Sequence, residues 1–270
     1  MITDRGEDRK VALEGASLSY RVTGSQTGTE SALVLLHPWF GCRQFWDHTV
    51  TDFGDRRCYA VDFYSLAAGD WTGWAGPEQL AKAVLAMMDH EHLERVDLVG
   101  NSVGGIVAQI LAAAHPGRVR RLVLVGTGAR TSGVHPTFAQ AVDTWIAAAD
   151  KGTTPPRETA ETTIAMLFST DPDEPTRQTF TDAVMETDPA FIAAVLTSAR
   201  HLDLTDRLHR ITAPTLVLRG TEDRARTAEH AARLAAGIPQ ARWQEIPEAG
   251  HSPMVDHPAE FSRLTSAHLS

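Results

Sequence analysis

The sequence predicts an α/β fold with a mostly parallel, doubly wound sheet. Two observations support this prediction: short aliphatic runs recur along the chain, and stretches with helical periodicity separate them. The runs are too short for buried helices and mostly lack polar alternation, which is typical of parallel strands covered on both faces. Strands and helices in alternation favour right-handed crossovers within one sheet. With 270 residues, the chain is long enough to bury a full core.

Short segments with strand character appear in order along the chain. Weak alternation at residues 11–13 and 17–22 predicts an antiparallel hairpin at the start of the sheet. Asp97 is the one polar residue inside the aliphatic run that contains it. The remaining predicted strands are residues 32–36, 58–62, 96–99, 122–125, 215–218 and 243–246, the last at a sheet edge.

Apolar residues at helical spacing predict three helices between these strands. In residues 77–93, Val84 and Met87 fall on one face of the helix. Residues 103–114 form an Ala-rich apolar helix, and residues 228–236 are the third candidate. Each of these helices follows a predicted strand, as a doubly wound sheet requires.

Strand signals are missing from the sequence between residues 129 and 206. The pattern there is helical, and the segments TTPP and DPDEP interrupt it at residues 153–156 and 171–175. Because strand-rich sequence resumes at Thr212, we expect a helical cap inserted into the sheet domain. The predicted division is a first core part at residues 1–128, a cap at residues 129–206 and a second core part at residues 207–270.

The composition indicates which kinds of binding partner are unfavourable for this protein. The net charge of −9 is unfavourable for binding nucleic acid or an anionic membrane, since both require basic patches. We therefore expect a small hydrophobic molecule as the partner, with no nucleic acid and no membrane. The sequence leaves the choice between monomer and homodimer open.

The cysteines and the first residues indicate the compartment. Cys42 and Cys58 are too few for a disulfide framework, which favours a reducing environment. The first ten residues, MITDRGEDRK, are charged and lack the apolar segment of a secretory signal. We therefore expect a cytoplasmic protein.

The residues that follow the predicted strands are candidates for chemistry, because ligands bind at the carboxyl ends of the strands in doubly wound sheets. Ser102 follows one strand within the sequence GNSVG, which fits the pattern G-x-S-x-G of a sharp strand-to-helix turn. Asp223 follows the TLVL strand, and His251 follows the predicted edge strand. A serine, an acid and a histidine thus occur in this order.

The chain resembles the α/β-hydrolase fold over nearly all its length. Four landmarks support the resemblance: HPWFG at residues 37–41, GNSVGG at residues 100–105, RGTED at residues 219–223 and AGHSPMVDHPAEF at residues 249–261. Together they are far more specific than any one of them. The resemblance implies a sheet of the α/β-hydrolase type, with an N-terminal antiparallel hairpin and a helical cap, and an esterase- or lactonase-like activity.

The resemblance also implies a catalytic triad. Ser102 would attack an acyl carbonyl, His251 would remove its proton, and Asp223 would orient the imidazole and stabilise its charged form. Glu222 is a rival for the acid, although the spacing from Gly220 favours Asp223. His257 is a rival for the base, but its position before a proline is typical of a helix start.

The oxyanion hole would use the backbone N–H of Val103, directly after the nucleophile, and a second N–H from the HPWFG loop. Trp39 is the expected second donor, with Phe40 as the alternative. Pro38 has no N–H and is excluded. The loop after the strand at residues 58–62 also departs from the family's Arg-Gly-His-Gly-type turn, so the commonest family substrates are poor guides here.

Aromatic and methionine side chains of the cap and the nearby loops are expected to form an apolar substrate pocket. For each of them, packing within the core is the alternative interpretation. The candidate pocket residues are His37, Phe40, Tyr64, Trp145, Phe168 and Met254.

The sequence indicates neither a metal site nor a cofactor site. His90 and His92 lack the further ligands of a metal site and are interpreted as solvated residues at a helix end. Cys42 lies near the expected pocket, but it lacks an elbow and a base and is a poor candidate nucleophile. We therefore expect a reaction without metal or organic cofactor.

The leading hypothesis is a serine hydrolase that cleaves a carboxylic ester, lactone or thioester through an acyl-enzyme on Ser102. The same residues support acyl transfer, lyase, perhydrolase or cofactor-free dioxygenase chemistry on this fold, so the fold alone does not choose. A ligand sensor that acts through a protein partner is a further alternative. It is suggested by residues 187–218 and the sequence FGC at residues 40–42, which are similar to hydrolase-fold signalling proteins.

Overall fold

The computed structural model describes residues 6–25, 31–131 and 134–270. The predicted first core part and the predicted cap therefore include short stretches outside the described residues. The strands are β1 (Glu7–Ala12), β2 (Ser17–Thr23), β3 (Leu33–Leu36), β4 (Cys58–Asp62), β5 (Val96–Asn101), β6 (Val119–Val125), β7 (Thr215–Gly220) and β8 (Ala241–Ile246).

These strands form one sheet of eight strands in the order β1-β2-β4-β3-β5-β6-β7-β8. β1 pairs with β2, and β2 with β4, in antiparallel orientation. Every later pair, from β4-β3 to β7-β8, is parallel. The prediction of a mostly parallel sheet with an N-terminal antiparallel hairpin is confirmed.

Helices cover the sheet. They are α1 (Asp47–Asp52), α2 (Pro77–His90), α3 (Val103–Ala114), α4 (Pro136–Asp150), α5 (Arg157–Ala165), α6 (Glu174–Met185), α7 (Pro189–Arg200), α8 (Ala228–Gly237), α9 (Pro253–Asp256) and α10 (Pro258–Leu269). Short 3₁₀ helices lie at Arg43–Trp46, Phe63–Ala68, Pro116–Arg118 and Thr205–Arg210. Across the described residues, no helix combines the length and apolar character that crossing a membrane requires.

The central strands of the sheet are covered by helices. Every residue of β3 and β5 is buried, which requires cover on both faces of the sheet. α3 contacts β3, β5 and β6, while α10 contacts β6 and α1. Because strands β3 to β8 run parallel to one another, their carboxyl ends meet at one edge of the sheet. The loops that follow these strands therefore lie close together.

Helices α4 to α7 occupy the chain between β6 and β7, within the segment predicted as the cap. They pack as two pairs, α4 with α7 and α5 with α6. Aromatic contacts join them to the chain that follows β3: Phe40 lies 5.2 Å from Trp145 and Phe45 lies 4.2 Å from Phe180, measured between ring centroids. These helices therefore pack against the chain that follows the carboxyl end of β3.

Candidate active site

Ser102 sits in a tight turn between β5 and α3. Its backbone angles are φ 54° and ψ −115°, a region that a residue with a side chain rarely adopts. The turn needs glycine on both sides. A Cβ on Gly100 would lie 2.4 Å from the Gly104 carbonyl oxygen, and one on Gly104 would lie 2.3 Å from the Leu36 carbonyl oxygen. The glycines thus permit the turn that places Ser102 at the strand end.

Asp223 and His251 form a buried hydrogen-bonded pair. His251 Nδ1 donates to Asp223, at 3.0 Å from Oδ1 and 2.9 Å from Oδ2. Burial opposes ionisation of Asp223, but the electrostatic effect and hydrogen bond of His251, together with the backbone N–H groups of Arg226 and Ala225, hold the pKa of this carboxyl below its ordinary value. Among the described residues, His251 Nε2 has no hydrogen-bond partner. This nitrogen is therefore available to accept a proton.

A buried network joins the histidine loop to the serine turn. The Asn101 side-chain nitrogen donates to the carbonyl oxygens of His251 and Val125, at 3.0 Å each. Ser252 Oγ donates to Asn101 Oδ1 at 2.8 Å. Because Asn101 directly precedes Ser102, this network fixes the histidine loop relative to the nucleophile candidate.

The alternative candidates for the acid, the base and the nucleophile lack the environment that these roles require. Glu222 is exposed, whereas Asp223 is buried against His251. His257 precedes α10 as its N-cap residue, in the position expected for a helix start. Burial raises the pKa of the Cys42 thiol to about 12, so its nucleophilic thiolate form is disfavoured.

A cavity of about 190 Å³ adjoins Ser102. Its volume is below the range of about 300–1,000 Å³ typical of pockets for drug-sized ligands, so it suits a small compound. Most of its wall is apolar. The described lining residues are Trp39, Ser102, Val103, Ile106, Thr131, Val134, Phe138, Ala139, Val142, Asp143, Leu196, Ala199, Arg200 and Arg226.

The loop after β3 distinguishes the two candidate oxyanion donors. The Phe40 backbone N–H donates to the Tyr64 hydroxyl at 3.0 Å, and Phe40 does not line the cavity. Trp39 lines the cavity together with Ser102 and Val103. Val103 is the first residue of α3, where backbone N–H groups have no acceptor within the helix. This geometry favours Trp39 over Phe40.

The six residues expected in the pocket wall are absent from the described lining of this cavity. Two of them order the loop after β3. His37 is buried, with Nδ1 donating to the Pro38 carbonyl at 2.8 Å and Nε2 accepting from the Phe63 N–H at 3.0 Å. Tyr64 accepts the hydrogen bond from Phe40 and packs edge-on against Trp39 at 5.2 Å.

The other four expected wall residues are buried in the core. Phe40 and Trp145 pack against each other. Phe168 packs against two further phenylalanine rings at 5.7 and 6.1 Å, and Met254 is fully buried in α9. Core packing, the alternative interpretation in the sequence, describes their positions.

Most described lining residues were not among the sequence candidates, and two of them lie near the Asp223–His251 pair. Phe138 of α4 lines the cavity, and its ring lies 6.1 Å from that of His251. Arg226 lines the cavity from the turn after β7, three residues beyond Asp223. Both lie close in space to predicted residues. In the sequence, Arg226 cannot be distinguished from Arg224, which is exposed.

The sequence of the chain matches a known protein family. Residues 33–264 match the model of the alpha/beta hydrolase family. The chain belongs to this family. The resemblance seen in the sequence is thereby confirmed, and the alpha/beta hydrolase match spans strands β3 to β8, the helices between β6 and β7, and the serine, acid and histidine positions.

This alpha/beta hydrolase is similar to proteins with several hydrolytic activities. It is 28% identical to a 2-hydroxy-6-oxo-6-phenylhexa-2,4-dienoate hydrolase of Burkholderia cepacia, over 92% of this chain and 90% of that protein. A solved hydrolase of Pseudomonas aeruginosa is 30% identical with a TM-score of 0.84, covering 99% of this chain and all of the other. A solved enol-lactonase of Burkholderia xenovorans is 26% identical with a TM-score of 0.83, covering 97% and 99%. These relatives support a hydrolase.

Proposed function

We propose that the protein is a serine hydrolase that cleaves an ester, lactone or thioester of a small hydrophobic molecule. The observation that supports this most strongly is the buried Asp223–His251 pair, whose Nε2 is unpaired among the described residues. Asn101 ties this pair to the turn that carries Ser102. A serine hydroxyl at neutral pH needs such a base to become a nucleophile.

In the proposed reaction, Ser102 Oγ attacks the substrate carbonyl carbon while His251 Nε2 takes the hydroxyl proton. Asp223 stabilises the resulting imidazolium through Nδ1. The N–H groups of Val103 and Trp39 stabilise the negative oxygen of the tetrahedral intermediate, and loss of one such donor typically costs a factor of about 10²–10³ in rate. The intermediate expels the alcohol, or the thiol of a thioester, and this leaving group receives the proton from His251.

Water then attacks the acyl-enzyme while His251 again accepts a proton, and His251 returns this proton to Ser102 Oγ as the carboxylic acid product leaves. Each bond and proton of this cycle is accounted for by the three side chains and water. The proposed reaction therefore needs neither a metal nor an organic cofactor.

The cavity supports the proposed size and character of the substrate. Its volume of about 190 Å³ suits a small molecule, and its wall is mostly aliphatic and aromatic. The solved enol-lactonase that the chain resembles is named for a lactone-cleaving activity. A lactone or a short ester is thus within the proposed class.

Labelling with a fluorophosphonate, followed by intact mass, tests the proposal. We expect a single mass increase on the wild-type chain and none on Ser102→Ala. Cys42→Ser is the matched control for the rival nucleophile and should label like the wild type. Labelling that persists in Ser102→Ala would contradict the proposal.

A second candidate reaction is hydrolytic cleavage of a carbon–carbon bond beside a ketone. The relative from Burkholderia cepacia is named for a substrate with a ketone and a carboxylate, and this compound contains no ester. Incubation with 2-hydroxy-6-oxo-6-phenylhexa-2,4-dienoate separates the two candidates. Release of benzoate at a rate far above that on any ester or lactone would favour the second.

A further inference from the structure

Arg226 is a buried cation in the wall of the cavity next to Ser102. Its side chain lies among mostly apolar lining residues, and the residue is only 5% exposed. Nε has no hydrogen-bond partner among the described residues, and Nη1 makes one long bond of 3.4 Å to the Ala225 carbonyl oxygen. An arginine so deeply buried normally has an anionic partner.

The carboxylate of Asp223, whose charge acts on Arg226, is already engaged. Asp223 Oδ1 accepts the backbone N–H groups of Ala225 and Arg226, at 2.7 and 2.8 Å, and both its oxygens accept from His251. The ion pairs of the described residues do not include Arg226. Burial lowers the pKa of Arg226 to about 10, against the opposing charge of Asp223. The guanidinium is therefore still charged at neutral pH.

Two other arginines show what is unusual about this one. Arg200 also lines the cavity, but Asp143 neutralises it at 2.5 Å. Arg224 belongs to the same turn as Arg226 but is exposed. Arg226 thus combines burial, contact with the cavity and an unpaired donor.

We propose that Arg226 binds a carboxylate of the substrate, so that the compound cleaved at Ser102 is a small acyl compound with an apolar body and an anionic end. This inference rests on the proposed function, whose substrate class it makes narrower. The planar guanidinium presents Nε–H and Nη–H side by side, which matches the two oxygens of a carboxylate. The other lining residues, which are mostly apolar, are available to contact the carbon chain of the substrate.

A purely structural role is the competing explanation: Arg226 could serve only to balance the charge of Asp223. In that case its replacement would alter the hydrolysis of charged and neutral substrates in parallel. A substrate-binding role predicts a change in the ratio between them. The experiment therefore compares substrates that differ only in charge at one end.

Mono(4-nitrophenyl) glutarate and 4-nitrophenyl pentanoate form such a pair, since a carboxylate in the first replaces the terminal methyl of the second. We expect the wild type to favour the glutarate in kcat/KM, after subtraction of spontaneous hydrolysis. Arg226→Gln should lower the ratio of the two kcat/KM values by about 10- to 100-fold, the size expected for a charge-assisted hydrogen bond. Arg226→Lys should give a ratio of kcat/KM values between those of the wild type and Arg226→Gln.

Arg224→Gln is the matched control, because it removes the same charge from an exposed position in the same turn. It should keep the wild-type ratio. An unchanged ratio in Arg226→Gln, or an equal fall in both variants, would overturn the inference.

A binding measurement keeps the inference testable if Arg226→Gln does not fold. Calorimetry on the wild type should show tighter binding of hexanoate than of hexanamide, and equal binding would contradict a carboxylate site. Phosphonate labelling separates the two proposals. If Ser102 is labelled but the ratio and binding show no charge preference, only the carboxylate site fails; if Ser102 is not labelled, the hydrolase proposal fails and calorimetry still tests Arg226.

Discussion

The turn around Ser102 leaves no space for a side chain at position 104. A Cβ there would lie 2.3 Å from the Leu36 carbonyl oxygen and 2.7 Å from that of His37. Both are backbone atoms at the end of a central strand, so they cannot move without moving the sheet. We expect Gly104→Ala to lower the free energy of unfolding by about 1–3 kcal/mol or more, as overpacking does, and to slow phosphonate labelling of the displaced Ser102. Urea unfolding and labelling rates measure the two effects.

Gly117→Ala is the control for the loss of glycine itself. A Cβ at Gly117 would meet nothing within 4 Å. The free energy of unfolding should therefore stay within about 0.5 kcal/mol of the wild type, as for most surface changes. Similar losses in both alanine variants would refute the idea that close packing at Gly104 holds the elbow.

Sequence reasoning locates the proposed catalytic residues better than the residues around them. Ser102, Asp223 and His251 each follow a strand, so the topology alone brings them to one edge of the sheet. Arg226 lacks such a signal. It and Arg224 are both arginines in one turn, and only the packing of the folded chain buries one and exposes the other.

Among the secondary-structure elements, the predicted bounds are most accurate where the buried residues are apolar. Residues 58–62 and 103–114 were predicted with the bounds that β4 and α3 have. β6 starts at Val119, three residues before the predicted start, because Arg120 and Arg121 interrupt the aliphatic pattern. In the folded chain these arginines find partners: Arg120 bonds to Asp97 and Arg121 to the His268 carbonyl oxygen.

Which apolar side chains of the helices between β6 and β7 line the cavity was not predictable from the sequence. Phe138 and Trp145 lie on the same face of α4, two turns apart, yet Phe138 lines the cavity and Trp145 packs against Phe40. An apolar side chain in an inserted helix contacts either neighbouring helices or the substrate space. The position of each side chain along the helix relative to the cavity decides between these, and no local pattern encodes it.

The start of α7 offers a test of how these helices are fixed to the core. Asp188 caps α7 by accepting the Ala190 N–H at 2.8 Å, and its Oδ2 also accepts the Trp71 indole N–H at 2.9 Å. The Trp71 ring packs on Phe191 at 5.6 Å. We expect Asp188→Ala to cost about 1 kcal/mol for the cap and about 1 kcal/mol more for the lost tryptophan bond. Urea unfolding of the purified variant measures the sum.

Asp173→Ala is the matched control, because Asp173 caps α6 through the Thr176 N–H at 2.9 Å and has no tryptophan partner in the described chain. It should lose only the cap contribution. Since Trp39 also bonds to α7, through the Ile192 carbonyl at 3.2 Å, Asp188→Ala should in addition raise KM for a small aryl ester. Equal destabilisation with unchanged KM would show that Trp71 does not fix α7.

At the scale of the whole molecule, a buried ion-pair network and the proposed active site lie at opposite ends of strand β5. Asp97 is fully buried near the amino end of β5, whereas Ser102 follows its carboxyl end. Asp97 pairs with Arg56, from the turn before β4, and with Arg120 of β6, at 2.8 Å from Nε. Arg120 also donates to the Leu269 carbonyl oxygen at 2.6 Å. One carboxylate thus links two strands, a turn and the C-terminal helix.

We expect Asp97→Asn to destabilise the fold without changing the reaction of the molecules that stay folded. Removal of one partner from a buried ion pair typically costs about 3–5 kcal/mol, because the remaining charge stays buried without compensation. Arg56, which is itself buried, would be left in that state. Asp89→Asn is the control, since its pair with Arg118 is partly exposed and such pairs contribute about 0–1 kcal/mol. Urea unfolding should separate the two variants by several kcal/mol, while phosphonate labelling per folded molecule stays at the wild-type rate in both. A slower labelling rate in folded Asp97→Asn would mean that the two ends of β5 are coupled, and the separation of stability from chemistry would not hold.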